Sequence, residues 1–227
     1  MQSRRYRIGG VLAVLSLAAT SHAATFGTVV PVRGTVSDIA LDERRGNVYI
    51  ANFSGGRVDV LNTASRALAA PLAVSKPPSS VALSPDNRYL VVGQYDNFLT
   101  SSTKGGFTVF DLDANARQEV AIGDPVLAVS FGAGSQALIV TTKEFLLLDP
   151  ASARTQSLGV TGLEGKELPV PFVTFPPEIV EASSAVSGDG QKIIVLAATA
   201  NNGNAILQYR VGAANVTFLG YTASPPL

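Results

Sequence analysis

Short apolar runs bounded by turn-forming residues recur along this chain, and they alternate or run unbroken in the manner of strands. The first set is Ser37-Asp38-Ile39-Ala40-Leu41, a polar stretch from Asp42 to Asn47, then Val48-Tyr49-Ile50-Ala51-Asn52. A second set follows at Ser80-Val81-Ala82-Leu83, Ser84-Pro85-Asp86-Asn87 and Tyr89-Leu90-Val91-Val92. The third is Ala128-Val129-Ser130-Phe131, Gly132 to Gln136, and Ala137-Leu138-Ile139-Val140. The fourth is Ser184-Ala185-Val186, Ser187-Gly188-Asp189-Gly190, and Ile193-Ile194-Val195-Leu196. Pro85 fixes φ for a tight turn and Asn87 tolerates positive φ. In Gly56-Arg57-Val58-Asp59-Val60 the valines fall on one side and the charges on the other, the period of a third strand. No segment beyond residue 23 has a helical period.

Aligned on Leu41, Leu83, Phe131 and Val186, the repeats are 42, 48 and 55 residues apart. A strand-only period near 40–45 residues signals propeller blades. Repeats are expected near 36–75, 78–123, 126–160 and 182–221, inside a repeat domain covering 24–227. Each repeat ends in a fourth, outer strand, near Ala67–Val74, Gln118–Gly123, Thr155–Val160 and Val216–Tyr221. The expected fold is all-β: a β-propeller of about four four-stranded blades forming an incomplete ring. Thr25 to Val32 reads as one more outer strand, without inner strands of its own. Ser224-Pro225-Pro226-Leu227 is similar to Lys76-Pro77-Pro78-Ser79, where the second blade begins, so further blades are expected downstream. A four-bladed ring with a redundant strand is the alternative, at the lower end of the blade range.

Asn47-Val48-Tyr49-Ile50-Ala51-Asn52, followed by Arg57-Val58-Asp59-Val60-Leu61-Asn62-Thr63-Ala64-Ser65, resembles the YVTN-type β-propeller repeat. Pro78-Ser79-Ser80-Val81-Ala82-Leu83-Ser84-Pro85-Asp86 is similar to the start of the same repeat. The third and fourth repeats keep the pattern but lack the signature tyrosine. The resemblance implies the fold and leaves function open, because one fold hosts many functions.

The N-terminus changes the inventory. Arg4, Arg5 and Arg7 precede an apolar stretch from Ile8 to about Ala19, and Ser21-His22-Ala23 has the small-x-small pattern of a signal-peptide cleavage site. Residues 1–23 are therefore expected to be a signal peptide, cleaved after Ala23 or Ala24, and the chain to be exported to the periplasm, the cell surface or the medium. The apolar stretch is shorter than the roughly 20 residues of a spanning helix, so no membrane span is expected in the mature chain. Ser3-Arg4-Arg5 hints at twin-arginine export, but Arg7 stands where that signal has an apolar residue.

The whole chain has 17 basic and 17 acidic residues. Cleavage removes Arg4, Arg5 and Arg7 but no acid, leaving 14 basic against 17 acidic residues and a formal charge of −3. That balance argues against a nucleic-acid partner. The one histidine, His22, leaves with the signal, and there is no cysteine. Serine–histidine and cysteine–histidine catalysis, His or Cys zinc sites and disulfides are thereby excluded from the mature chain. No cofactor, catalytic residue or metal site is expected.

Asp111-Leu112-Asp113-Ala114-Asn115 begins like a calcium loop, but Ala116 and Ile122 stand where glycine and glutamate are required. Asn62 to Arg66 and Asp149 to Ser152 occupy the same place in their repeats, which marks a side-chain-capped turn. Tyr49 and Tyr89 lie inside second strands and are expected between blades rather than on a glycan-binding surface.

Two insertions are the candidate binding elements. In a blade of four antiparallel strands a to d, the b–c and d–a connections emerge on one face of the ring. The first insertion, Tyr95 to Gly105, is a b–c loop; the second, Gly162 to Glu181, is a d–a connection. Both fall on one face, where loops on a rigid scaffold commonly bind. The candidate residues are Tyr95, Asp96, Asn97, Phe98, Lys104, Glu164, Lys166, Phe172 and Phe175. The expected partner is an unidentified protein, peptide or glycan. A lactonase-like propeller hydrolase would instead need oxygen ligands converging on the axis, with Asp38, Asp96 and Glu181 as candidates. A cell-envelope structural repeat protein is a third reading.

Overall fold

The computed structural model describes residues 27–96, 104–159, 179–199, 204–212 and 215–224. The described residues contain strands and turns and no helix. Seventeen strands make four antiparallel sheets, each a blade.

Blade 1 has inner strand β1 (Val36–Asp42), then β2 (Asn47–Asn52) and β3 (Arg57–Asn62). Its outer strand is interrupted into β4 (Ala67–Leu68) and β5 (Leu72–Ala73), both paired to β3. Ala69-Ala70-Pro71 separates the two pieces, and proline offers no N–H to the ladder. Blade 2 is β6 (Pro78–Leu83), β7 (Tyr89–Tyr95), β8 (Gly105–Asp111) and β9 (Ala116–Ile122). Blade 3 is β10 (Val126–Phe131), β11 (Ala137–Thr141), β12 (Phe145–Asp149) and β13 (Arg154–Ser157). Blade 4 is β14 (Ile179–Val186), β15 (Lys192–Thr199), β16 (Asn204–Val211) and β17 (Val216–Ser224).

This is a β-propeller arrangement, and its four sheets do not close into a ring. Inner strands β1, β6, β10 and β14 neighbour one another in that order. Residues 27–35, expected in part as an outer strand, form no strand. Asn52 Nδ2 donates to the Arg33 carbonyl at 2.6 Å, Arg66 Nη1 donates to Thr28 Oγ1 at 2.7 Å, and Thr35 donates its N–H to Ser54 Oγ at 2.7 Å and accepts from Phe53 N–H at 2.8 Å.

Three apolar cores lie between successive blades. Tyr49, Ala51, Val58 and Val60 of blade 1 pack on Val81, Leu90, Val92 and Phe110 of blade 2. Phe107, Val91 and Val109 of blade 2 meet Val129, Phe131, Ile139 and Leu146 of blade 3. Leu138, Val140 and Phe145 of blade 3 meet Ile193, Val195, Leu207 and Tyr209 of blade 4. Tyr49 is buried here, as the strand pattern required. Burial pushes the Tyr209 phenol far above its ordinary range, so it stays un-ionised.

Every inner strand carries a register shift near its start, at Val36/Asp38, Pro78/Ser80, Val126/Ala128 and Ile179/Glu181. A bulge bends a strand and re-aims its side chains. Around these bulges, short polar side chains join one inner strand to the next. Ser37 Oγ donates to the Pro78 carbonyl at 2.8 Å, and Ser79 Oγ donates to the Val126 carbonyl at 2.6 Å. Asp38 accepts from Val81 N–H at 2.9 Å, and the hydroxyls of Ser130 and Ser184 share a hydrogen bond.

The turns repeat too. The last residue of the c–d turn has positive φ in blades 1 to 3: Arg66, Asn115 and Ala153, at 55°, 50° and 50°. Asp111 Oδ1 accepts from the N–H groups of Asp113 and Ala114, so the calcium-like run is a capped turn.

Candidate functional site

The b–c and d–a connections share one face of the arc, as the strand order dictates, and the site is built on this loop face. Phe53 and Thr142, just beyond β2 and β11, and Tyr95, the last residue of β7, have equivalent places there. Phe53, Tyr95 and Thr142 each donate their N–H to the start of the same blade's inner strand region, at Thr35, Pro77 and Pro125. Directly below them stand Asn52, Gln94 and Thr141, all buried and polar. Each has a defined duty. Asn52 Oδ1 accepts from Gly55 N–H at 2.9 Å and closes the b–c turn of blade 1. Thr141 Oγ1 accepts from Glu144 N–H at 2.9 Å and does the same in blade 3. Gln94 Oε1 accepts from Lys76 N–H at 3.0 Å, and its Nε2 donates to Thr108 at 2.5 Å. Gln94 thus ties the blade 1–2 connection to the middle of blade 2. Unpaired amides would be costly at this depth, so these bonds fix the loop stems.

Two side chains of the upper layer meet across blades. The rings of Phe53 and Tyr95 lie 5.3 Å apart at 53°, and Tyr95 also packs against the core between blades 3 and 4. Burial, and secondarily the nearby Glu181 carboxylate, raise the Tyr95 phenol above its ordinary range. Tyr95 therefore draws together residues of blades 1, 2 and 4 on the loop face.

Beside it, Lys76 Nζ pairs with Asp96 at 2.5 Å, and Asp96 N–H donates to the Lys104 carbonyl at 3.1 Å, closing the base of the first insertion. Blade 3 has the same pairing with its signs exchanged: Asp124, in the preceding connection, meets Lys143 of the b–c turn at 2.9 Å. Ion pairs of opposite order thus stand at the loop-face ends of blades 2 and 3.

Of the sequence candidates, Tyr95, Asp96 and Lys104 stand at the stems of the first insertion on this face. Asn97, Phe98, Glu164, Lys166, Phe172 and Phe175 lie outside the described residues. Phe53, Lys76 and Gln94 are additional members. Lys76 stands in the Lys76-Pro77-Pro78 run read from the sequence, whereas nothing in the sequence pattern singled out Phe53.

Two of the three carboxylates considered for metal chemistry, Asp38 and Asp96, are occupied separately. Asp38 accepts from the N–H groups of Ile39 and Val81, and burial pushes its carboxyl above the usual range. Asp96 is paired with Lys76. Among the described residues, no group of three His, Cys, Asp or Glu side chains is placed to hold a metal ion.

On the opposite, turn face, a cleft of about 290 Å³ lies between blades 2 and 3, lined by residues including Pro85, Tyr89, Ser135 and Pro150. Its two carboxylates, Asp86 and Asp149, are engaged in capping their own turns.

No family model matches the chain, and no curated protein matches it. Solved structures do. The chain is similar to Kuenenia stuttgartiensis hydrazine synthase at 15% identity and a TM-score of 0.61, over 88% of this chain and 52% of that one. An auxiliary nutrient binding protein from Bacteroides thetaiotaomicron matches at 8% identity and a TM-score of 0.57, over 84% of this chain and 42% of that one. The β-propeller domain of Cps50 (Swd1) from Myceliophteria thermophila matches at 11% identity and a TM-score of 0.53, over 87% of this chain and 75% of that one. The chain thus spans about half the length of the first of these proteins and less than half of the second. At these identities the likeness establishes the propeller fold alone.

Proposed function

We propose that this chain is an exported propeller scaffold of the YVTN-repeat kind whose loop face binds a protein, peptide or glycan. The observation that carries the reading is the convergence at Tyr95. An aromatic pair from blades 1 and 2 meets there, within the field of the Glu181 carboxylate, beside the stem of Lys76, Asp96 and Lys104. Aromatic rings flanked by polar groups suit sugar rings and peptide side chains alike. The stems of this face are held by buried Asn52, Gln94 and Thr141, which supplies the rigidity a binding surface needs.

Glycan and peptide arrays probed with the exported chain test the reading. Ligands are expected whose binding falls at least tenfold in Tyr95→Ala and weakens in Lys76→Ala. Ligands retained by both variants and lost only on substitution of the turn-face residue Tyr89 would move the site to the other side. N-terminal sequencing of chain recovered after export is expected to begin at Ala24 or Thr25, and an uncleaved N-terminus would refute processing.

A further inference from the structure

On the turn face, the boundaries between blades are bridged at two places and left open at a third. From blade 1, Arg45 reaches blade 2 and donates to the Asn87 carbonyl at 2.5 Å and to the Asp113 carboxylate. From blade 3, Ala133 donates its N–H to the Gly190 carbonyl of blade 4 at 2.6 Å. Asn87 and Gly190 hold the same turn position, three residues beyond Ser84 and Ser187, whose carbonyls accept their N–H groups. Between blades 2 and 3, no hydrogen bond or ion pair among the described residues crosses this face. Two local differences account for the gap. The a–b turn of blade 3 spans Gly132 to Gln136 between the paired Phe131 and Ala137, one residue fewer than the stretch from Ser84 to Tyr89 in blade 2. In the c–d turn, Ala151 stands two residues beyond the end of β12, where blade 2 has Asp113 beyond β8. The space left open is the cleft of about 290 Å³ between these turns.

We propose that this cleft takes the arginine side chain of a protein or peptide partner, which supplies from outside the bridge that Arg45 makes within the chain one boundary earlier. The lining is apolar at Pro85 and Pro150, aromatic at Tyr89 and anionic at Asp86 and Asp149, and it includes no basic residue. Asp86 spends Oδ1 on its own turn, accepting from Ser84 Oγ at 2.6 Å and from Arg88 N–H at 3.1 Å, and its Oδ2 has no partner among the described residues. Arg88 does not neutralise it, because its guanidinium is forked onto Asp111 at 3.1 and 2.8 Å. A guanidinium suits these parts: it is planar and weakly hydrated, stacks on rings, and donates in a fixed fork to carboxylates. The volume lies at the bottom of the roughly 300–1,000 Å³ range of ligand pockets, which fits one long side chain. This site is on the opposite side of the arc from the loop face and does not rest on the reading of that face.

Titration of the isotope-labelled exported chain with the peptide acetyl-Gly-Arg-Gly-amide, followed by amide chemical shifts, tests the assignment. Saturable shifts are expected at Asp86, Tyr89, Ser135 and Ala151, with a dissociation constant on the order of 1 mM. The citrulline and lysine counterparts of the peptide are expected to bind roughly tenfold more weakly, the first lacking the charge and the second the fork. Asp86→Asn keeps an acceptor for its turn and removes the charge, and it should weaken the arginine peptide roughly tenfold. The decisive variant is Ala151→Asp, which places a carboxylate where Asp113 meets Arg45 and should tighten binding roughly fivefold. A gain of affinity cannot come from a damaged fold. Absence of saturable shifts at the cleft, equal binding of the citrulline or lysine peptide, or an Ala151→Asp variant that binds no more tightly overturns the proposal.

Discussion

Arg45 sits in the a–b turn of blade 1, in a position that looks like ordinary surface charge, and removing it tests how blades 1 and 2 are locked. Its Nη1 donates to Asp42 Oδ2 at 2.9 Å and to the Asn87 carbonyl of blade 2 at 2.5 Å, and its Nη2 pairs with Asp113 of blade 2. Asp42 is fully buried, with 0% of its side chain exposed, whereas Arg45 retains 22%. In Arg45→Ala the Asp42 carboxylate keeps only its own turn N–H at 3.0 Å and a long contact to Tyr49 Oη at 3.4 Å. Stripping a buried ion of its partner costs about 3–5 kcal/mol in the fully enclosed limit. Water entering beside the shortened side chain lowers that, and we expect a loss of about 2–3 kcal/mol, in line with charged hydrogen bonds lost. Removing the partly exposed partner, in Asp113→Ala, is expected to cost about 1 kcal/mol or less.

Urea unfolding at pH 7 measures these values, with Asp42→Asn/Arg45→Ala as the control. If the penalty comes from an uncompensated charge, the double variant is more stable than Arg45→Ala alone. Hydrogen exchange adds a spatial readout. Amides of β1 to β3 should lose protection in Arg45→Ala while those of β10 to β12 keep theirs, because repeat units open locally. A loss below about 0.5 kcal/mol, within the range of ordinary surface substitutions, would refute the reasoning. So would a double variant no better than the single one.

Asp38→Asn preserves an acceptor for Val81 N–H and removes a partly buried charge. A carboxyl raised in the folded state contributes stability below its unfolded pKa and loses it as pH rises through the folded one, so the variant should be equal or more stable at pH 7. The advantage is expected to vanish below about pH 4, near the unfolded carboxylate value, and urea midpoints against pH check it. Asp86, Asp111 and Asp189 shift the opposite way, held down chiefly by Ser84, Arg88 and Ser187 respectively. Their contribution is present above the unfolded pKa and is lost as pH falls through the folded one, visible as acid destabilisation below about pH 4. Gly105→Ala would drive a Cβ into the backbone of Asp124 and to 2.6 Å from Pro125 Cα, and we expect a loss of about 3 kcal/mol, the upper end for overpacking, measured by thermal melting. Gln94→Ala strands the Lys76 N–H, with an expected cost of about 1–3 kcal/mol and a matching loss of loop-face ligand binding.

The blades were legible because their evidence is local. A turn such as Pro85-Asp86-Asn87 between two apolar runs determines a hairpin, and Asn87 duly has a φ of 58°. The structure of the loop face was less legible because its equivalences are geometric. Phe53, Tyr95 and Thr142 perform one backbone task with three unlike side chains, and the Lys76–Asp96 and Asp124–Lys143 pairs exchange signs between blades. The inner-strand bulges leave no residue-type signature, since Val36, Pro78, Val126 and Ile179 all begin them. Blade 1's outer strand was expected unbroken over Ala67–Val74, and neither its split at Pro71 nor the failure of residues 27–35 to form a strand showed in the strand pattern. Strand pattern alone does not supply the pairing partner a strand requires.

The two ends of the arc also differ from its middle, and the difference bears on how the site is held. Every residue of β10 and β11 is buried, because blade 3 is covered on both faces. Blades 1 and 4 each leave one face open, so by area burial alone they are the less stable units. Yet the loop-face centre draws on those same ends: the Phe53 ring of blade 1 lies against Tyr95 of blade 2, whose phenol also feels the Glu181 carboxylate of blade 4. Tyr95 therefore couples the two weaker blades through a residue anchored in a stronger one. Covering either open face would stiffen the site without touching it, since a blade held on both sides opens less often. Conversely, loosening an end blade should blur the aromatic pair before it disturbs the central cores.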